Sequence, residues 1–494
     1  MRSVPGWLRR LAPLGWWAIF VLAAAVLQLI QVVPFDGDTG YHIAVARLIR
    51  EYGILTEFPW TPWSWLADQY GDKELFFHLL MVPFATLSPS VVALVIGTAL
   101  GALVLGTVRG ILSMQGTRFA GVWALVALLC SGGFLVRVAL VRPHLLAITL
   151  ALWLTWAAAK GRTLHGALVG LLFPLCYVGW NQALLLMAIV AGASLFAGQR
   201  PAWRSYAAIA LGLAVGVLVH PNFPNNARFA WLESVDVLYR HSWAGGVGFE
   251  LGGEFKPLAP GMLVRLLGVP ILLALGASAL SWKHRKVDAF PLVFALAALA
   301  YLVVTLRTQR FLEYFVPFTA VAAGLAARWA PPRLGAPVVL AVCAVYTGLL
   351  GLGPVSQFRT RSELFPSLVA ESLRRVIPPG AHVCTCDWEF TGEMMLALPD
   401  RAFLVALDPV LFWKKDPDAY RAWFDMTHGV PGAPSDPVRV IRDVLRSRYV
   451  LCDVRPKWFS FLTALAARPD ARFRGRIGLW NVFEVGPAPR ATSE

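Results

Sequence analysis

The feature that most limits what this chain can become is the apolar run 11–35, which contains no charged residue. About 20 such residues cross the hydrocarbon of a bilayer. A helix apolar on every side belongs in lipid or deep inside a large protein. Comparable runs recur near 74–88, 90–108, 119–136, 144–159, 164–180, 182–197, 205–220, 262–281, 289–306, 311–329 and 335–354. Charged residues make up only 15% of the chain, against about 25% in soluble globular proteins. The expected fold class is therefore a polytopic α-helical membrane protein with about eleven or twelve spans.

Arg2, Arg9 and Arg10 precede the first run, like the basic start of a signal peptide. A signal peptide's apolar segment is about 7–15 residues, and this run is longer. It reads as an uncleaved anchor with the N-terminus in the cytoplasm; Ala23-Ala24-Ala25 leaves cleavage as the lesser reading. Basic residues then test the alternation of loops. The loops assigned to the cytoplasm hold 14 Lys or Arg and a single acid, Asp288. The opposite loops, 35–73, 137–143, 221–261 and 307–310, hold 10 bases and 10 acids. Most of the formal charge of +15 thus reports orientation, and no nucleic-acid partner is expected. The alternation holds only if the stretch 74–108 crosses once.

Beyond residue 354 the composition changes, giving expected domains 1–354 and 355–494. Segments 381–386, 402–407, 448–454 and 479–485 read as strands, and 363–376, 417–426 and 437–446 as helices. Their alternation suggests a small α/β domain, which the topology places outside the cytoplasm. Cys384, Cys386 and Cys452 fall on two of these strands. One disulfide and plain buried thiols both fit, and no zinc-type CxxC pattern occurs.

The chemistry concentrates in the loops of the outer face. Directly after the first run stand Asp36-Gly37-Asp38 and, four residues on, His42. Two carboxylates so close together can hold a divalent metal, Mg or Mn, through oxygen ligands, although the sequence does not require one. One of them can instead serve as a general base; the bland reading is a solvated turn. Val45, Leu48, Ile49 and Tyr52 form the apolar stripe of an amphipathic helix expected to lie on the membrane. Trp60, Trp63 and Trp65 read first as interfacial anchors, with stacking on a sugar ring as the alternative. Lys73, Glu74 and His78 open the next apolar stretch and are candidates for facing an aqueous cavity. Arg137, Arg142 and His144, with Arg307 and Arg310, are cations on the face where the charge trend disfavours them. Arginine there can grip a lipid-linked phosphate with two donors; headgroup contact is the competing reading. Loop 221–261, which carries Glu250 and Glu254, is too long for a simple connector and is expected to cover a substrate groove. Asn181 reads as a polar cap.

In this order, these motifs resemble the GT-C superfamily of integral membrane glycosyltransferases, which includes oligosaccharyltransferase catalytic subunits and protein O-mannosyltransferases. The likeness rests on Asp36-Gly37-Asp38 with His42, on Asp72-Lys73-Glu74-Leu75, on Arg142-Pro143-His144 and on the Arg307–Arg310 segment. It covers about residues 1–354. The resemblance implies transfer of a sugar from a polyprenyl-phosphate-linked donor to a glycan, lipid or protein acceptor, with inversion, at the outer face of a bacterial inner membrane. Asp36 or Asp38 would match the acidic position that activates the acceptor or binds metal. Arg137, Arg142, His144, Arg307 and Arg310 would bind the donor phosphate. Glu250 or Glu254 would stand for the acidic residue of the family's long late loop. The oligosaccharyltransferase branch carries a WWD signature that is missing here; Asp387-Trp388-Glu389 does not match it. Competing readings are a ligase or polymerase of undecaprenyl-linked glycans, which needs the arginines but no Asp pair, and a lipid or solute transporter. A transporter favours charges at mid-span and related halves, and neither is seen. A scaffold presenting 355–494 is the fourth.

Overall fold

The computed structural model describes residues 6–31, 36–243, 249–250, 252–331, 333, 335–353, 364–405 and 407–486. Arg2, Pro34, Phe35 and the expected domain boundary at 354/355 lie outside the described residues. The chain forms two compact units that are not contiguous in sequence. One comprises Met1–Phe35, Asp72–Gly246 and Gly253–Ser362; the other comprises Asp36–Gly71, Val247–Gly252 and Glu363–Glu494.

The first unit is helical. Four of its helices are long and apolar enough to cross a membrane: Pro89–Met114, Val178–Phe196, Pro260–Lys283 and Phe290–Arg307. Shorter apolar helices cover Leu14–Leu29, Leu75–Phe84, His144–Ala159, Thr163–Cys176, Trp203–Leu218 and Ala336–Gly351. The expected apolar runs thus reappear as helices, with ends moved by a few residues. At about 1.5 Å per residue, Leu75–Phe84 reaches only about half of the roughly 30 Å of hydrocarbon. Pro89–Met114 is then the one full-length helix in the 74–108 stretch, in keeping with a single crossing.

One expected span is broken. The run 119–136 folds as Ala120–Leu129 and Gly132–Ala139, bent by 94°. Ser131 caps the second piece by accepting from the Phe134 amide at 3.3 Å. Gly132 then abuts the backbone of Gly351, where any side chain would collide with the Gly351 carbonyl. Nothing in the apolar composition signals this break. Its effect is to turn the segment that carries Arg137. At the centre of the unit, Leu312–Ala326 is buried along its whole length and packs on Phe290–Arg307, Pro260–Lys283 and Ala120–Leu129.

The second unit is built on a five-stranded sheet in the order β2-β1-β3-β5-β4. The strands are β1 (His382–Thr385), β2 (Ala402–Phe403), β3 (Tyr449–Asp453), β4 (Ala471–Ile477) and β5 (Trp480–Val485). β1 runs parallel to both β2 and β3, while β5 is antiparallel to β3 and β4. Four strands match expectation. β4 does not read as one, because Arg472, Arg474 and Arg476 alternate along it. On an edge strand such charges guard against further pairing. The helices Ser367–Val376 and Pro417–His428 cover two of the expected segments; the third, 437–446, holds Pro437–Arg439 and the turn Val440–Val444. Trp423, Trp458, Phe412, Tyr420 and Phe483 fill the core. Cys386 and Cys452 form a disulfide, while Cys384 is a buried thiol.

The helix Gly37–Tyr52 belongs to this unit. Thr39 to Ala46 and Ile49 are buried, and the helix packs on Thr391–Ala397. The approach is so close that a side chain on Gly392 would strike the Gly37 carbonyl. Val45 and Ile49 are therefore covered by protein, whereas Leu48 is half-buried and Tyr52 is exposed. Trp60 is likewise a core residue, 1% exposed, and its indole N–H donates to the Pro399 carbonyl at 2.7 Å. Trp63 stands edge-on to His382 at 4.9 Å. The interfacial reading of these two tryptophans gives way to packing within the unit.

Candidate active site

Three arginines of the first unit converge on one carboxylate. Arg137, on the bent segment Gly132–Ala139, donates to Glu254 at 2.8 Å. Arg310, in the single turn Gln309–Phe311 between two helices, reaches the other oxygen of Glu254 at 3.0 Å. Arg142 lies 3.8 Å from Glu254. A second carboxylate, Glu313, takes the Arg137 Nε at 2.8 Å and is 0% exposed. The cluster is largely shielded from water, where charge-assisted hydrogen bonds are strong. At Glu254 burial opposes ionisation, but Arg310, Arg137 and Arg142 hold the carboxyl well below the usual carboxylate range. His144 donates from Nε2 to the Arg137 backbone carbonyl oxygen at 2.9 Å. A carbonyl oxygen only accepts, so His144 carries a proton on Nε2 and braces the segment that bears Arg137.

Two cavities flank the cluster and share Arg310. The larger, an open space of about 980 Å³, is lined by Tyr177, Gln182, Glu233, Trp243, Tyr301 and Tyr314 among others. Its polar wall is a relay in which the Tyr301 hydroxyl donates to Gln182 at 2.7 Å, and Gln182 donates to the Tyr314 hydroxyl at 3.1 Å. Arg310 donates to the Tyr177 hydroxyl at 3.1 Å. Asn181 also lines this cavity and donates to Ser234 at 2.8 Å. The smaller cavity, about 640 Å³, is lined by Arg137, Glu254, Arg310 and apolar residues such as Met262 and Leu266.

Loop 221–261 supplies much of this. It folds as Asn225–Trp231, then Leu232–Trp243, then the turn Gly253–Phe255. Besides Glu254, it brings Glu233 to Lys73 at 3.0 Å. Lys73 also faces Glu74 at 3.9 Å and lies over the Phe229 ring. Burial works against the Lys73 charge, but Glu233 and Glu74 outweigh it and raise its pKa. Burial pushes Glu74 up to about 7, with Lys73 and His78 opposing and Asp72 and Glu233 adding to the rise. His78 Nδ1 meets Asp72 at 2.8 Å, and both side chains are buried.

The other expected site residues lie elsewhere. Arg307 ends its helix on an exposed position and lines neither cavity. Asp36, Asp38, His42 and Glu250 belong to the second unit. Asp36 is the N-cap of Gly37–Tyr52 and accepts from the Thr39 amide at 3.0 Å and hydroxyl at 2.8 Å. Asp38 sits half-buried in the first turn. His42 is buried against Tyr41. The Glu250 amide donates to the Tyr420 hydroxyl at 3.0 Å. Sequence reading did not single out Glu233, Tyr177, Tyr301 or Tyr314; Gln182 was read only with Asn181 as part of a polar cap. Glu313 offered a signal, being an acid at the head of an apolar run, where an ionisable group usually serves a function.

No protein-family model and no curated protein sequence matches this chain. Solved structures do. ArnT from Cupriavidus metallidurans in the apo state superposes with a TM-score of 0.59 at 14% identity, covering 96% of this chain and 100% of ArnT. The same protein bound to undecaprenyl phosphate gives a TM-score of 0.54 at 14% identity, covering 96% and 99%. The chain therefore shares the fold of ArnT.

Proposed function

We propose that this chain is a membrane glycosyltransferase that takes its sugar from a polyprenyl-phosphate-linked donor. The observation that carries the reading is the convergence of Arg137, Arg142 and Arg310 beside a cavity of about 980 Å³ walled by tyrosines and apolar side chains. Such a place suits a ligand with a phosphate at one end and a lipid at the other. The fold shared with ArnT, and the undecaprenyl phosphate held by ArnT, support it. Binding places the donor phosphate among the guanidinium groups. As the glycosidic bond breaks, they stabilise the charge that develops on the leaving phosphate. Glu313 keeps Arg137 aligned from the buried helix. The Tyr301–Gln182–Tyr314 relay offers hydroxyl and amide groups for orienting a sugar.

For the acceptor, Asp36 or Asp38 is the proposed base. Direct attack by the activated acceptor on the anomeric carbon gives inversion. The Asp36–Asp38 pair fits a divalent cation less well. One Asp36 oxygen is spent on Thr39, and hard cations take six or more oxygens. No step here runs through a metal. Acceptors of glycan, lipid or protein type all present the hydroxyl or amine this requires. We further propose a bacterial inner-membrane location, the N-terminus in the cytoplasm and the arginine cluster on the opposite face.

The test is binding of undecaprenyl monophosphate to the purified full-length protein, with release of that lipid from a sugar-loaded donor as the second readout. Arg310→Ala is expected to lose both. Equal binding by the parent and Arg310→Ala overturns the assignment.

A further inference from the structure

We propose that Glu254 is the resident anion of the arginine site, so that a phosphate ligand binds by exchange with it and Glu254 sets which anions the site accepts. This rests on the donor-site reading above and adds a residue whose effect has the opposite sign to that of the arginines.

The first argument is geometric. Glu254 uses both oxygens, one toward Arg310 at 3.0 Å and one toward Arg137 at 2.8 Å and Arg142 at 3.8 Å. Two oxygens spread over several guanidinium groups is the arrangement that a phosphate also adopts. A phosphate arriving at Arg310 therefore meets donors already engaged by an anion.

The second argument concerns how the two carboxylates are mounted. Glu313 is fully buried in a helix with every residue buried. It holds Arg137 from a place it cannot leave without unpacking the centre of the unit. Glu254 sits in the three-residue turn Gly253–Phe255, and its side chain is 26% exposed. Around the preceding Gly253, a Cβ would meet no atom within 4 Å. The partly exposed carboxylate in the turn and the buried one in the helix thus have different tasks, although both touch Arg137.

The third argument is charge. Two anions on the same guanidinium groups repel each other, so a phosphate and Glu254 exclude one another. A small anion lacks the means to evict the carboxylate. A lipid-linked phosphate has them, because burial of its chain adds favourable free energy. After transfer, the return of Glu254 helps expel the product phosphate. Glu254 acts through the arginines and is a specificity-determining residue.

The experiment measures binding of undecaprenyl monophosphate, and of inorganic phosphate as competitor, to full-length parent, Glu254→Gln, Glu254→Asp and Arg310→Ala. Steady-state transfer on a sugar-loaded donor is followed alongside. A competitor's removal raises the fraction of open sites, so Glu254→Gln is expected to bind the lipid phosphate about tenfold or more tightly. Inorganic phosphate should compete in this variant but not in the parent. KM and kcat should fall together, because product leaves more slowly, whereas Glu254→Asp, which keeps the charge, should still exclude inorganic phosphate. If Glu254→Gln cannot be purified, Glu254→Ala is read in the same way. Binding by the Gln variant that is unchanged or weaker, with Arg310→Ala still impaired, overturns this proposal and leaves the donor site standing. Equal binding by parent and Arg310→Ala overturns both.

Discussion

Replacing Glu74 by Gln should change how the stability of this protein depends on pH. Glu74 caps the short helix Leu75–Met81 without a side-chain capping bond. It is 4% exposed, and one of its oxygens is buried without a hydrogen-bond partner among the described residues. Burial, aided by Asp72 and Glu233 and opposed by Lys73 and His78, moves its pKa from 4.5 to about 7. Below about pH 4.5 the group is protonated in folded and unfolded chains alike, and the stabilising effect of the raised pKa is fully present. As pH rises toward 7, the unfolded chain gives up its proton while the folded chain keeps it, so stability falls. Above about 7 the loss is complete. At about 1.4 kcal/mol per pH unit, the swing is roughly 3 kcal/mol. In a chain of this length that corresponds to roughly 3–6 °C in unfolding midpoint. Gln keeps the shape and an acceptor but cannot titrate. Thermal unfolding in detergent, followed by tryptophan fluorescence at pH 5, 6, 7 and 8, should show the variant gaining on the parent as pH rises. A difference that is the same at pH 5 and pH 8 refutes the reasoning.

Arg310→Ala should weaken binding of undecaprenyl monophosphate at least about tenfold, whereas Arg307→Ala should stay within about twofold, as measured by native mass spectrometry or a lipid-binding titration. Asp36→Ala should cost about 1 kcal/mol through the lost helix cap, while Asp36→Asn retains the cap; comparison of unfolding midpoints checks this. Asp38→Asn should leave the midpoint near the parent's and abolish transfer; normal transfer would remove Asp38 from the mechanism. Converting Cys386 and Cys452 together to Ser opens a bridge spanning 66 residues and should cost about 4 kcal/mol, visible as a lower midpoint that reductant does not lower further.

Long uninterrupted apolar segments are legible because hydrocarbon demands them residue by residue, and their positions carried over to the helices closely. The strands β1, β3 and β5 were legible for a similar reason, since their buried faces are apolar. What escaped depends on partners far along the chain. At the bend after Leu129, Gly132 meets Gly351, a contact 219 positions away that no local pattern encodes. Lys73 and Glu233 pair across 160 positions. The stripe on Gly37–Tyr52 did not foretell that Thr39 to Ala46 are buried on every side while Tyr52 is exposed. For the arginines, the sequence showed that Arg137, Arg142 and Arg310 defied the charge trend. Only the fold separates them from Arg307, which shares their chemistry and stands apart.

The enclosed helix Leu312–Ala326 has a further consequence. Membranes differ in thickness by several ångströms, and helices that touch lipid answer by tilting or sliding. A helix whose every residue is covered by neighbouring protein has no lipid contact through which to feel that strain. Glu313 therefore keeps its depth relative to Arg137 whatever the acyl chains outside, and the alignment of the site should survive transfer between bilayers of different composition.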